Sequence, residues 1–133
     1  MFVDIILYDK HIIGDTEVLD VHEYAVTQSM LKLVLDEAKR VEASKILEIR
    51  LVIGDLSTIV DDSVQMYFDI MSEGTIAHGA KLVFRRVKAE FKCRECGEVF
   101  IKPTSGFDCP KCGGLGMPTG VGREFYIESL EIE

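Results

Sequence analysis

Four cysteines lie within a stretch of twenty residues, as Cys93-Arg94-Glu95-Cys96 and Cys109-Pro110-Lys111-Cys112, each pair followed by a glycine. A C-x-x-C turn lets two sulfurs converge on one ion while backbone N–H groups face them, and two such turns complete a tetrahedral thiolate site. Gly97 and Gly113 stand where the turn needs positive φ. The spacing reads as a closed structural zinc site with Cys93, Cys96, Cys109 and Cys112 as ligands. Iron in a rubredoxin-like site is the competing reading, because the same turns bind it. A redox dithiol is disfavoured by the presence of two pairs. Four thiolates leave no coordination position open for catalysis.

The second place for chemistry is Val21-His22-Glu23-Tyr24, where an imidazole and a carboxylate adjoin ahead of an amphipathic stretch. Taken alone, His22 reads as an exposed polar residue and Glu23 as an acidic complement to the helix dipole. His78 falls in a loop between a helix and a strand, and His11 in the first twenty residues, which sustain no period. Neither is expected to bind metal. No nucleophile–base pair, phosphate loop or open metal site is visible, so an enzyme is not expected.

The elements that must position these groups follow from periodicity. Val26, Met30, Leu33, Val34, Ala38 and Val41 recur at three- and four-residue steps from His22 to near Ser44, predicting a helix. From Lys45 to Gly54 the period becomes two, with Leu47, Ile49, Leu51 and Ile53 on one face of a strand. Asp61, Asp62 and Ser63 offer N-cap oxygens to a second helix carrying Val64, Tyr67, Phe68 and Met71, closed by Gly74. Met30, Met66 and Met71 read as packing residues on these helices.

Lys81 to Phe91 and Arg123 to Glu133 are extended, each with a slip in apolar parity that a bulge or bend would produce. The two bends are expected near the same place. The fold expected is α+β: a small mixed three-stranded sheet covered by two helices, with a zinc-ribbon-like four-cysteine module inserted between the last two strands. The expected division is a leader of uncertain status over 1–20, an α/β domain over 21–90 and 114–133, and a metal module over 91–113. Gly113, Gly114, Gly116, Gly120 and Gly122 mark a flexible return from the module, about which it could reorient.

Charge excludes some partners. Lys plus Arg total 15 against 23 Asp plus Glu, a formal net charge of −8, and within 90–113 the two signs balance. Neither nucleic acid nor an anionic membrane surface is therefore an expected partner. The apolar runs fall short of the roughly 20 residues of a spanning helix. Asp4 and Asp9 interrupt the first apolar run, as a secretory signal would not allow, so a reducing, cytoplasmic setting is expected.

Beyond these local readings, the order of motifs resembles a known family. His22-Glu23 opens a helix with Gln28-Ser29-Met30; then come Ile53-Gly54-Asp55-Leu56, Gly74-Thr75, Gly79-Ala80-Lys81-Leu82, the paired C-x-x-C turns and Gly122-Arg123-Glu124-Phe125. Over residues 21 to 133 the pattern is similar to the HypA family of hydrogenase nickel-insertion accessory proteins. The resemblance implies a metallochaperone, not an enzyme, that carries nickel to the large subunit of a [NiFe] hydrogenase with a nickel-associated GTPase as partner. A homodimer is left open. The resemblance also implies nickel binding at His22 and Glu23 and zinc at the four cysteines. The reading from another class is a zinc-ribbon protein-interaction module that binds no nickel.

In the family the nickel site is a Met-His-Glu amino terminus, whose matching positions here are Val21, His22 and Glu23. A free α-amine, the next backbone nitrogen and an imidazole can close adjoining chelate rings around Ni(II). Twenty residues precede His22's neighbour Val21 in this chain, so the amine is not available there. Translation beginning at position 21 from a non-standard start codon would restore it.

Overall fold

The computed structural model describes residues 2–4, 22–103 and 105–133, with the side chains of residues 2–4 and His22 outside the description. The expected helices and strands are present: α1 (His22–Arg40), β2 (Ile46–Gly54), α2 (Asp61–Met71), β3 (Lys81–Val87) and β7 (Phe125–Ile132) form the larger unit. A strand β1 (Phe2–Asp4) precedes them, and β4 (Glu90–Cys93), β5 (Val99–Ile101) and β6 (Gly116–Pro118) form the smaller one.

The larger sheet has the order β1-β7-β2-β3. It is mixed, as expected, with β2 parallel to β3 across the α2 crossover and antiparallel to β7. It has four strands where three were expected. The addition is β1, which pairs antiparallel with β7 through Phe2↔Glu131, Val3↔Leu130 and Asp4↔Ser129. Three residues of strand are too short for hydrophobic alternation to register in the sequence.

One core joins α1, α2 and this sheet. Met30, Val34, Ala38, Ile49, Leu51, Ile53, Val64, Phe68, Phe125, Ile127 and Leu130 are all fully buried in it. Each large aliphatic side chain so buried contributes about 1.5–3 kcal/mol of transfer free energy. Met71 packs against the core, but Met66 is half exposed and lies outside it.

The parity slips have two physical origins. In β7, Arg50 pairs with Ser129 while Leu51 pairs with Ile127, so Glu128 is a bulge that returns Leu130 and Ile132 to the core face. The other slip is a change of sheet: β3 ends at Val87 and β4 begins at Glu90, with buried Ala89 between them. The two bends therefore do not coincide. A further irregularity between Ile46 and Glu48 buries Ile46 and turns Leu47 outward, against the expected face. The N-cap of α2 is Val60, without a side-chain cap bond, instead of Asp61, Asp62 or Ser63.

The smaller sheet has the order β5-β4-β6 and packs Phe91, Phe100, Cys93, Cys109 and Ala89. Its strands run from Glu90 to Pro118, beyond the expected limit of Gly113, because the return strand Gly116–Pro118 pairs with Phe91–Cys93. This unit has only a few apolar residues of its own.

Within the glycine-rich return, expected as a flexible joint, Gly114, Gly116 and Gly122 are tightly apposed, while Gly113 and Gly120 have open space around them. A Cβ on Gly54 would sit 2.0 Å from the carbonyl carbon of Gly122, one on Gly122 would sit 2.7 Å from Cα of Ala89, and one on Gly116 would sit 2.5 Å from the Phe100 ring. Around them Gly54 N–H donates to Glu124 O at 2.7 Å, Leu56 N–H to Gly122 O at 2.7 Å and Glu90 N–H to Val121 O at 3.1 Å. Leu56 then packs on the apolar cluster of the smaller sheet. Gly54 and Gly122 serve close approach of backbone to backbone, and Gly116 makes room for the Phe100 ring.

Gly54→Ala should therefore lower unfolding free energy by at least about 2 kcal/mol, as overpacking against backbone does. Gly79→Ala, at φ 82° with open space around it, should cost only the left-handed penalty of about 1 kcal/mol. Urea unfolding of both variants measures the difference.

Candidate metal centre

Each C-x-x-C pair sits on a turn at the end of the smaller sheet, the first following β4 and the second between β5 and β6. Gly97 and Gly113 take φ of 76° and 77°, as expected, and Gly97 N–H and Gly113 N–H close the two turns on Cys93 O and Cys109 O at 3.1 and 2.8 Å. The four sulfurs converge, all within 4.8 Å of one another. Cys93 Sγ lies 3.4 Å from Cys112 Sγ, and Cys96 Sγ lies 3.7 Å from Cys109 Sγ. A tetrahedral ion with Zn–S bonds of about 2.3 Å requires sulfur separations of ~3.8 Å, so this donor set fits such an ion.

Backbone donors complete the surroundings. Glu95 N–H and Cys96 N–H point at Cys93 Sγ at 3.3 and 3.5 Å, Lys111 N–H at Cys109 Sγ at 3.4 Å, and Gly114 N–H at Cys112 Sγ at 3.4 Å. The Cys96 amide, aided by that of Glu95, holds the Cys93 thiol down to about 7. At Cys112 the Gly114 amide acts in the same direction, but the neighbouring sulfurs of Cys93 and Cys96 push the thiol up to about 12. Four thiolates cannot ionise together in so small a volume without a cation, and a divalent ion removes that repulsion. Cys93 and Cys109 are buried, while Cys96 and Cys112 face solvent.

The other candidate residues lie at the opposite kind of place, the start of a helix. His22 is the first residue of α1 and Glu23 stands in its first turn. The Glu23 carboxylate accepts the backbone N–H of Val60 at 3.3 Å, and Tyr24 meets Tyr67 edge to face with centroids 5.4 Å apart. Glu23 thus joins the starts of both helices, a role that sequence periodicity could not reveal. His78 is exposed in the turns before β3, as expected, and His11 lies outside the described residues.

Another feature escaped the sequence reading. On the face of the smaller sheet away from Phe91 and Phe100, Val99, Ile101 and Met117 are each about half exposed. In three-residue strands, alternation is too brief to announce which face is open.

Residues 21–132 match the family described as hydrogenase/urease nickel incorporation, metallochaperone, HypA. The chain belongs to the HypA family. It is 46% identical over 113 residues to the hydrogenase maturation factor HypA of Caldanaerobacter subterraneus subsp. tengcongensis, covering 84% of this chain and 99% of that protein. It is 45% identical over 112 residues to the factor of the same name from Dehalococcoides mccartyi, covering 84% and 94%. Its fold is similar to a solution structure of HypA protein, with TM-score 0.64, 28% identity and coverage of 86% and 98%. It is also similar to the solution structure of the Ni metallochaperone HypA from Helicobacter pylori, with TM-score 0.57, 29% identity and coverage of 83% and 96%. Among the described residues no helix is long and apolar enough to cross a membrane.

Cobalt(II) added to metal-free protein should bind one ion per chain with the intense visible bands of tetrahedral thiolate coordination. Cys109→Ser should weaken that binding by at least about tenfold, and loading should decline below neutral pH because protons compete for the sulfurs. Optical titration at several pH values measures all three.

Proposed function

We propose that this protein is a nickel chaperone that helps insert Ni(II) into the large subunit of a [NiFe] hydrogenase during its maturation, working with a nickel-associated GTPase in the cytoplasm. The observation that carries this reading is the match of residues 21–132 to a nickel-incorporation family. His22 and Glu23 bind the nickel being carried, and Cys93, Cys96, Cys109 and Cys112 hold a resident zinc ion. The zinc fixes the fold of the smaller unit.

The chemistry of the two donor sets supports this division. Zn(II) imposes no geometry of its own and suits a closed set of four thiolates. Ni(II) prefers nitrogen donors in square-planar or octahedral geometry, which an imidazole at a helix start, with backbone nitrogen beside it, can provide. Glu23 lies in the same first turn and adds a carboxylate, one oxygen of which accepts the Val60 N–H while the other can coordinate. Binding at so few protein ligands leaves exchange positions open, as delivery to a second protein requires.

Calorimetric titration with nickel tests the site and the chain start together. A chain beginning with methionine at position 21 should bind nickel more tightly than the full 133 residues, and His22→Ala should abolish binding in the shorter chain. Equal, His22-dependent binding in both would mean that side chains suffice. Absence of binding in both would replace this reading with that of a zinc-containing protein-interaction module. Binding should weaken as pH falls, because imidazole and amine, with ordinary values near ~6.5 and ~7.8, must lose protons before they coordinate. Acid thus favours release.

A further inference from the structure

The strand β1 lies outside the stretch that matches the family, yet it occupies a definite position in the sheet. Its three residues pair antiparallel with Ser129–Glu131 of β7, and β7 itself extends over eight residues. Without β1, β7 would be the last strand of the sheet on that side, since the order is β1-β7-β2-β3. An edge of this kind presents a row of N–H and C=O groups that will pair with any extended chain brought to it. Three residues give few ladder bonds, but attachment to the same chain supplies a high effective concentration that compensates for so short a strand.

The edge also has a charge. Glu131 is half buried and Glu133 is exposed at the end of the strand, whereas Glu128 at the bulge is already paired with Arg85 at 3.2 Å. A segment carrying lysine or arginine at alternate positions would be complementary.

We propose that the outer edge of β7 is a docking edge for an extended, basic segment of a partner protein, and that residues 2–4 close it from within the chain. The partner adds a strand antiparallel to β7 in the register that β1 now holds. A partner strand longer than three residues engages more of β7 than β1 does and so displaces it. This role is independent of nickel binding, because neither the cysteines nor His22 takes part.

The test uses the full chain with Val3→Pro and Asp4→Pro together. Consecutive prolines remove the donor facing β7 whichever of the two residues supplies it. Hydrogen exchange should speed up at least tenfold at Ser129–Glu131 while the β2 amides stay protected, which shows that the rest of the sheet is folded. A fluorescent peptide of alternating lysine and valine should bind the double variant at least tenfold more tightly than the unaltered chain, and a glutamate–valine peptide should not bind. Unchanged exchange, equal binding of the lysine peptide by both chains, or equal binding of the two peptides would overturn the proposal. So would a sedimentation velocity dimer of the double variant, which would make a second copy the occupant.

Discussion

Two sheets with separate apolar clusters keep a fixed relation here because their backbones touch at Gly54, Gly122 and Ala89. Side chains could not make this contact, since there is no room for a single methyl group between Gly54 and the Gly122 carbonyl. The consequence is directional hydrogen bonding across the junction, with Gly54, Leu56 and Glu90 all donating to the return segment. Leu56 inserts from the larger unit into the cluster of the smaller one. A junction of this kind resists sliding, because displacement breaks several short bonds at once and exposes backbone groups that must be paired.

The smaller sheet depends on that junction and on its four sulfurs. Phe91 and Phe100 stack with centroids 6.2 Å apart, and few other side chains are buried with them. So small a core cannot offset the conformational entropy of some thirty ordered residues. An ion bound at the sulfurs would supply the difference, and would do so most effectively where the donors are already converged, as they are with Cys93 and Cys112 3.4 Å apart. The backbone amides directed at the sulfurs are part of the same preparation, since they favour thiolate at Cys93 before any cation arrives.

Where a pattern is long, the sequence disclosed the structure; where a decision turns on few residues, it did not. Nineteen residues of α1 and the alternation of β2 declare themselves, and the C-x-x-C-Gly turns specify their own backbone. The slip in β7 was legible as a bulge because apolar residues lie on both sides of it. The slip between Phe84 and Phe91 has the same signature but a different cause, a passage from one sheet to another, and local periodicity cannot separate the two. β1, β5 and β6 each have three residues, too few to show a period. Gly122 of the return segment looked permissive in one dimension and is restrictive in three, because a Cβ there would meet Ala89, and one on Gly54 would meet Gly122, residues far apart in the sequence.

On the proposed reading, the two metal sites differ as their tasks require. A site that maintains structure benefits from saturation: four soft donors, two of them buried, backbone amides directed at the sulfurs and no vacancy through which an incoming ligand could start exchange. A site that must hand over its ion benefits from the reverse, a small number of donors at the solvent-facing start of a helix, where water or a recipient's ligands can enter stepwise. The distinction is kinetic as well as thermodynamic. The Glu23 contact with Val60 N–H adds a further consequence: a carboxylate that coordinates nickel through one oxygen while the other holds the start of α2 would link the loaded site to both helices, so loading and unloading would be felt by both even if the sheet beneath them did not move.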